Sequence, residues 1–285
     1  MNKAPVPGVP GRVLVIAGSD SGGGAGIQAD IKSIMAQGAY ATTAITALTA
    51  QNTRGVQDIL DVPPAFVVSQ MHSILGDIGA DIIKTGMLHN RALIESVAQA
   101  RADAGRLPML VDPVMVATSG DRLLQEDAVD ALKSLLLADA FLVTPNLPEA
   151  SLLTGRDVDT VDDMKRAADR LMDDGAHAAL IKGGHGSDRV VTDLLALQAG
   201  FEVFEHERFE TTNTHGTGCT LASALAGQLA GQFAGQSAGQ TTPDIKAATE
   251  KALAYVHAAI KAAPDLGAGH GPVWHGVFSG DWHGD

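Results

Sequence analysis

The stretch Val13-Leu-Val-Ile-Ala-Gly-Ser-Asp-Ser-Gly-Gly-Gly-Ala-Gly-Ile-Gln-Ala-Asp30 decides the fold class. Its opening residues form an unbroken apolar run, which predicts a strand buried on both faces, as in a mainly parallel sheet. Three successive glycines then precede a helix running to about Gln37. Such a run is costly in chain entropy, and a simple strand-to-helix connection needs one or two glycines at most. Close approach of a ligand to the backbone is the expected reason. The spacing is neither the dinucleotide fingerprint nor a phosphate loop ending in Gly-Lys-Ser/Thr.

Outward from this stretch, strand and helix patterns alternate. Strands are predicted at Ala41–Leu48, Val56–Val62, Asp81–Met87, Met109–Met115, Phe141–Thr144 and Ala178–Gly184, and helices from Pro63-Pro64 to about Leu75, from Asn90, at Glu126–Leu137 and at Val161–Asp173. This succession predicts an α/β fold with helices on both faces of a mainly parallel sheet and right-handed crossovers. Val190–Leu197 and Phe201–Glu210 read as an antiparallel pair at a sheet edge, and Asp244–Ala262 as the last helix. No repeat and no dividing linker appears, so residues 1–285 are expected to form a single domain, with 1–11 a loose lead-in and 264–285 a tail.

With 45% apolar residues the core is ample, and with 4% aromatic residues helices are expected to pack through small side chains. A net charge of −13 argues against binding nucleic acid or an anionic membrane. No run of about 18 apolar residues occurs, no signal peptide is recognisable, and the single cysteine suits a reducing compartment, so a cytoplasmic location is expected. Small-molecule chemistry is the class left.

The second informative stretch is Asn213-Thr-His-Gly-Thr-Gly-Cys-Thr-Leu221. Gly216 and Gly218 permit φ > 0, and Leu221, Leu225 and Leu229 recur at helix spacing. The amides of Thr217, Gly218 and Cys219 would then lie at a helix N-terminus, where free N–H groups and the helix dipole favour an anion such as a phosphoryl group. Cys219, in the first turn, is a candidate base or hydrogen-bond partner, or else a small buried apolar residue.

Polar residues gather at predicted strand ends, where α/β sheets bind ligands: Asp112, Asn146, Glu149 and Lys182, with Gly18, Gln51 and Met87. Asp112 and Glu149 could hold Mg²⁺ through oxygen ligands and water, or Asp112 could cap a turn. Lys182 could reach phosphates as a point charge, or end its strand in solvent. The amides of Gln51 and Asn52 could read a heterocycle, or bond loop backbone.

Seven ordered motifs carry a resemblance: Ala17–Asp30, Ile45–Thr53, Lys84–Leu88, Val111–Met115, Thr144–Ala150, Ile181–His185 and Asn213–Leu221. Together they resemble the bacterial hydroxymethylpyrimidine/phosphomethylpyrimidine kinases of thiamine biosynthesis, within the ribokinase-like superfamily. The resemblance implies a ribokinase-like fold, a homodimer, and two ATP-dependent phosphorylations, of 4-amino-5-hydroxymethyl-2-methylpyrimidine and then of its monophosphate. It implies that Gly18, Asp30, Gln51, Met87 and Val114 line the pyrimidine pocket, with Gln51 on the ring edge. Asn146, Glu149 and Asp112 would serve the metal and ATP phosphates, Lys182 would clamp the phosphates, and the Gly216–Cys219 amides, with Thr217 and Gly218 between, would form the anion hole. Cys219 stands where the wider superfamily has a basic aspartate. The nearest alternative is a pyridoxal/pyridoxine kinase of the same superfamily; a catalytically idle heterocycle-binding member is a second. Metal binding by His270, His275 and His283 is disfavoured by their irregular spacing, and the tail reads as ordinary polar chain.

Overall fold

A computed structural model of the protein describes residues 10–116, 123–185, 189–236 and 242–277. Strand β1 (Arg12–Asp20) leads through the glycine loop into α1 (Gly26–Ala36), followed by β2 (Tyr40–Asn52), β3 (Gly55–Asp61), α2 (Pro64–Asp77), β4 (Ile82–Thr85), α3 (Arg91–Asp103) and β5 (Met109–Val111). An irregular helical run, α4 (126–139), mixes 3-10, α and π hydrogen bonding. The chain continues through β6 (Leu142–Val143), α5 (Leu147–Thr154), α6 (Val161–Asp173), β7 (Ala179–Ile181), β8 (Val190–Leu197), β9 (Gly200–Glu207), α7 (Thr217–Gln236) and α8 (Ile245–Lys261).

Nine strands form one sheet in the order β3-β2-β1-β4-β5-β6-β7-β8-β9; β2, β1, β4, β5, β6 and β7 are parallel, and the pairings β2·β3, β7·β8 and β8·β9 at the two edges are antiparallel. The alternation of β1 divides the core. Leu14 and Ile16 face a layer shared with α2, α3 and α6, whereas Val13 and Val15 face α1, α7 and α8. Burial on both sides is the reason the sequence reads as a continuous apolar run. Small residues let helices approach: a Cβ added at Gly227 on α7 would meet Gln37 Cβ at 3.0 Å and Ile34 Cα at 3.4 Å.

Several expectations are corrected. The strand begun at Met109 stops at Val111: Asp112 N still donates to Thr85 O at 3.1 Å, but Pro113 has no N–H to continue a ladder. The Gly/Gln/Ala/Ser-rich stretch 231–242, whose composition predicts a loose connection before the last helix, is helical as far as Gln236, where α7 ends; residues 237–241 lie outside the described chain. Gly11, placed in the lead-in, is packed: its carbonyl accepts from Tyr40 N at 2.8 Å, while residues 1–9 lie outside the described chain. No helix among the described residues is long and apolar enough to cross a membrane.

Strand order reverses at β1, since β2 lies on one side of it and β4 on the other. The carboxyl ends of β1, β4, β5, β6 and β7 open there on one rim, which is where such sheets form their crevice.

Candidate active site

The turn before α7 is built by close packing. Gly216 has φ +79°, and a Cβ there would collide with the carbonyl oxygen of Gly24, so the turn lies directly on the β1–α1 loop. Thr220 donates both its amide and its hydroxyl to the Gly216 carbonyl, each at 2.8 Å. The Thr217 amide is committed to Thr214 O at 3.2 Å. Of the anion hole expected from Gly216 to Cys219, the Thr217 amide is thus engaged, while Gly218 and Cys219 are first-turn donors left over by the helix.

Lys182, one residue beyond β7, points at this turn: a Cβ on Gly218 would lie 3.3 Å from its Nζ. It is buried rather than solvated, and its ammonium is 2.7 Å from Asp112 Oδ1. Burial works against the charge, but Asp112 and Glu149 outweigh it and hold the Lys182 pKa above its ordinary value. Asp112 Oδ1 also accepts from Thr144 Oγ1 at 3.1 Å, while Asp112 Oδ2 is buried without a partner. Asn146 caps α5 and forms a reciprocal capping box with Glu149: Glu149 N donates to Asn146 Oδ1 and Asn146 N to Glu149 Oε2, both at 2.9 Å. Burial, with repulsion from Asp112, pushes the Glu149 carboxyl up to about 7 against the pull of Lys182.

A second buried pair flanks the turn on the side of β4. Lys84 Nζ lies 2.9 Å from Asp30 Oδ1, and both side chains are fully buried. Ser223, one turn after Cys219 on α7, donates to the same oxygen at 2.6 Å. Burial opposes the Lys84 charge, and Asp30, Cys219 and Asp112 maintain it. The expectation that Asp30 lines the pyrimidine pocket is corrected: its side chain points into the α1–α7 interface, and Lys84 reaches the cavity instead. Cys219, partly exposed, has its thiol pushed up to about 12 chiefly by desolvation, against the opposing field of Lys84 and a hydrogen bond from Gly26 N. It holds its proton at neutral pH.

Lys182, Asp112, Glu149, Lys84 and the Gly216–Cys219 turn share one cavity of about 660 Å³. At one end are Gly18, Gln51, Met87 and Val114; Met87 Cε lies 2.6 Å from where a Gly18 Cβ would be. Gln51 Oε1 accepts from Thr49 Oγ1 at 3.1 Å, and its Nε2 is 3.4 Å from His215 Nε2. Asn52 instead follows its structural reading, accepting from Arg54 N at 2.9 Å. At the other end the wall is formed by Val191, His206, Phe209, Val256, His257 and Ile260.

The sequence model described as phosphomethylpyrimidine kinase matches residues 20–274. The chain belongs to the phosphomethylpyrimidine kinase family. A hydroxymethylpyrimidine/phosphomethylpyrimidine kinase from Rhizobium meliloti is 47% identical over 92% of this chain and 96% of its own. The thiamine biosynthesis bifunctional protein ThiED of Geobacter sulfurreducens is 47% identical over 96% of this chain, which spans 53% of that protein. The fold is similar to the pyridoxal kinase from Staphylococcus aureus in complex with AMP-PCP and pyridoxal, with a TM-score of 0.81 and 33% identity over 94% of both chains. The ribokinase-like architecture is thus shown.

Relative to other motifs of this phosphomethylpyrimidine kinase family member, two features went unread. Asp20 accepts from the amides of Gly22, Gly24 and Ala25 at 2.8, 3.1 and 2.8 Å and pairs with His215 Nε2 at 2.9 Å, locking the glycine loop onto the α7 turn. Both residues sit inside quoted motifs, but only the fold brings positions 195 apart in sequence together. The His206–Phe209 wall was read only as an edge strand, and its cavity role depends on α8 packing beside it, where the Phe209 and His257 ring centroids lie 4.5 Å apart. Among the described residues no group of three His, Cys, Asp or Glu is arranged to hold a metal. Asp112 and Glu149 nonetheless suit a hydrated Mg²⁺: both are oxygen donors, Asp112 raises the cost of ionising Glu149, and one Asp112 oxygen lacks a partner.

Proposed function

We propose that this cleft moves the γ-phosphoryl group of ATP to the hydroxymethyl oxygen of 4-amino-5-hydroxymethyl-2-methylpyrimidine, and then a second one onto the resulting monophosphate. The observation that carries the reading is the convergence of the Lys182 ammonium on Gly218, at the turn where the Gly218 and Cys219 amides are left over by the helix, in the same cavity as Gln51 and Met87. Phosphoryl transfer asks for positioning and for charge neutralisation more than for covalent chemistry, and this rim supplies both.

In this reading Lys182 and the Gly218 and Cys219 amides hold the migrating group, with Thr217 and Gly216 shaping the turn. Asn146 orients Glu149 at the nucleotide side. Gln51 meets the ring edge, and Gly18, Met87 and Val114 pack on the heterocycle. Asp112 and Glu149 would hold Mg²⁺, which when bound neutralises charge on the β- and γ-phosphates. Cys219 holds its proton at rest, so it orients the acceptor oxygen by a hydrogen bond, and the hydroxyl proton passes to an oxygen of the transferred phosphoryl group as the new P–O bond forms. The wall of His206, Phe209 and His257 takes the nucleotide base. Residues 1–285 act as one kinase domain in a cytoplasmic homodimer without nucleic acid; this part rests on the resemblance, the lone cysteine and the acidic charge.

The second reading is pyridoxal phosphorylation, favoured by the likeness to pyridoxal kinases. Gln51 favours the aminopyrimidine, because an amide both donates to and accepts from its ring edge. Magnesium-dependent ADP release, measured in parallel with the pyrimidine alcohol and with pyridoxal, tests this. Higher kcat/KM on the pyrimidine alcohol is expected, and preference for pyridoxal reverses the assignment.

A further inference from the structure

We infer that His275 is a positioning residue for the reaction: acting through Thr220, it fixes the Gly216 carbonyl at the start of α7 and hence the direction of the Gly218 and Cys219 amides. The inference rests on the reading of those amides as the phosphate-binding turn.

Two glycines in three residues give that turn little conformational preference of its own. It is restrained from within by Thr220, whose hydroxyl donates to Gly216 O at 2.8 Å. A hydroxyl rotates, and a bond back to the preceding turn is a weak restraint unless its oxygen is also engaged. His275 Nε2 engages it at 3.0 Å. Because the only hydroxyl proton is used on Gly216, Nε2 carries hydrogen and donates. The ring is buried, and its own carbonyl accepts from Tyr255 Oη on α8 at 2.9 Å.

The surrounding segment repeats the pattern. His215 N donates to Gly271 O at 3.1 Å, Asn213 Nδ2 bonds Asp265 Oδ1, and Pro272 Cβ lies 2.9 Å from where a Gly24 Cβ would be. His270 N donates to Thr53 O at 2.8 Å, just beyond Gln51, and Trp274 N to Ala259 O at 3.0 Å. Residues 265–275 thus tie the α7 turn to the glycine loop, the β2–β3 turn and α8. Residues 265–277 line none of the cavity, so this segment acts on the site from behind. The expected ordinary polar tail is, over these residues, a packed strap; His283 lies outside the described chain.

The test is steady-state kinetics of the full-length enzyme with the pyrimidine alcohol and ATP. His275→Ala is expected to lower kcat about 10- to 100-fold, the scale of a small misplacement, with the KM for the alcohol within about twofold. His275→Gln, whose amide N–H reaches the Nε2 position, is expected to recover most of kcat. Thr220→Val is expected to match His275→Ala, and Thr220→Ser to match wild type. Wild-type kcat in folded His275→Ala, or no recovery in His275→Gln, overturns the inference. Where His275→Ala does not fold, the two Thr220 variants decide, and equal kcat in both overturns it. Lys182→Ala is measured alongside. Full kcat there removes the phosphate-site reading itself, whereas an impaired Lys182→Ala beside unimpaired His275 and Thr220 variants removes only the positioning role.

Discussion

Lys182 Nζ and Asp112 Oδ1 lie 2.7 Å apart, at the ends of two strands separated by a third. The carboxylate holds the ammonium in place before any ligand arrives, so little reorganisation remains for the reaction. Removing one preorganised electrostatic group costs roughly 10²- to 10³-fold. Lys182→Ala is expected to lose that much in kcat; a change confined to the KM for ATP would make Lys182 a binding residue only.

Cys219 is the chain's single cysteine, so any thiol reagent reports on it alone. With its pKa pushed up to about 12 by burial, iodoacetamide is expected to react at pH 8 at least about 10²-fold more slowly than with a free cysteine. Cys219→Ala is expected to lose about 10²-fold in kcat, the scale of a misplaced acceptor oxygen. Fast alkylation at neutral pH would show a thiolate and refute the resting state described for it.

Glu149 predicts a pH dependence of stability. Its folded pKa, about 7, lies above the ordinary 4.5, so between those values the folded chain keeps a proton that the unfolded chain releases. Stability therefore falls as pH rises through that window. Glu149→Gln, which preserves the shape of the capping box, is expected to be more stable than wild type at pH 8 by up to about 3 kcal/mol, and equal to it at pH 4. Urea unfolding without metal measures the difference; equal stability at pH 8 contradicts the desolvated carboxylate.

The Lys84–Asp30 pair is fully buried, so removing one partner strands a charge. Lys84→Met is expected to cost about 3–5 kcal/mol in denaturant unfolding. Adding Asp30→Leu to that variant removes the stranded carboxylate and is expected to return much of the loss, because the pair itself contributes little net stability. Additive losses in the double variant would refute the coupling.

His275 gives a window of the opposite slope. Burial lowers its pKa to about 4 from the ordinary 6.5, so the unfolded chain binds the extra proton first as pH falls. Its contribution is complete above about 6.5 and is lost toward 4. Wild type is expected to lose stability faster than His275→Gln between pH 6.5 and 4 in thermal unfolding; parallel curves would argue against a neutral buried imidazole.

Much of the fold was legible because its signals are local. The apolar run Val13–Ile16 implied burial on two faces, Val161–Asp173 declared its helix by periodicity and ends where expected, and Asn90 and Asp244 cap the helices that follow them. The glycines at Gly216 and Gly218 marked the backbone turn, and strand-end polar residues marked the rim. Strand lengths were overestimated at β5, β6 and β7, where single amides of Asp112, Thr144 and Lys182 still bond the neighbouring strand or its end but regular pairing stops.

The residue types and their order along the chain were sufficient to decide the α/β architecture, the location of the rim and the family. Which charge faces which was decided only by the tertiary structure. Asp30 meets Lys84 rather than the cavity, Asp20 meets His215, and His275 reaches the α7 turn from the far end of the chain. Backbone preferences act over a few neighbouring residues and are written locally. The pairing and desolvation of charges depend on distances in space, which exist only once the sheet and its helices have closed around them.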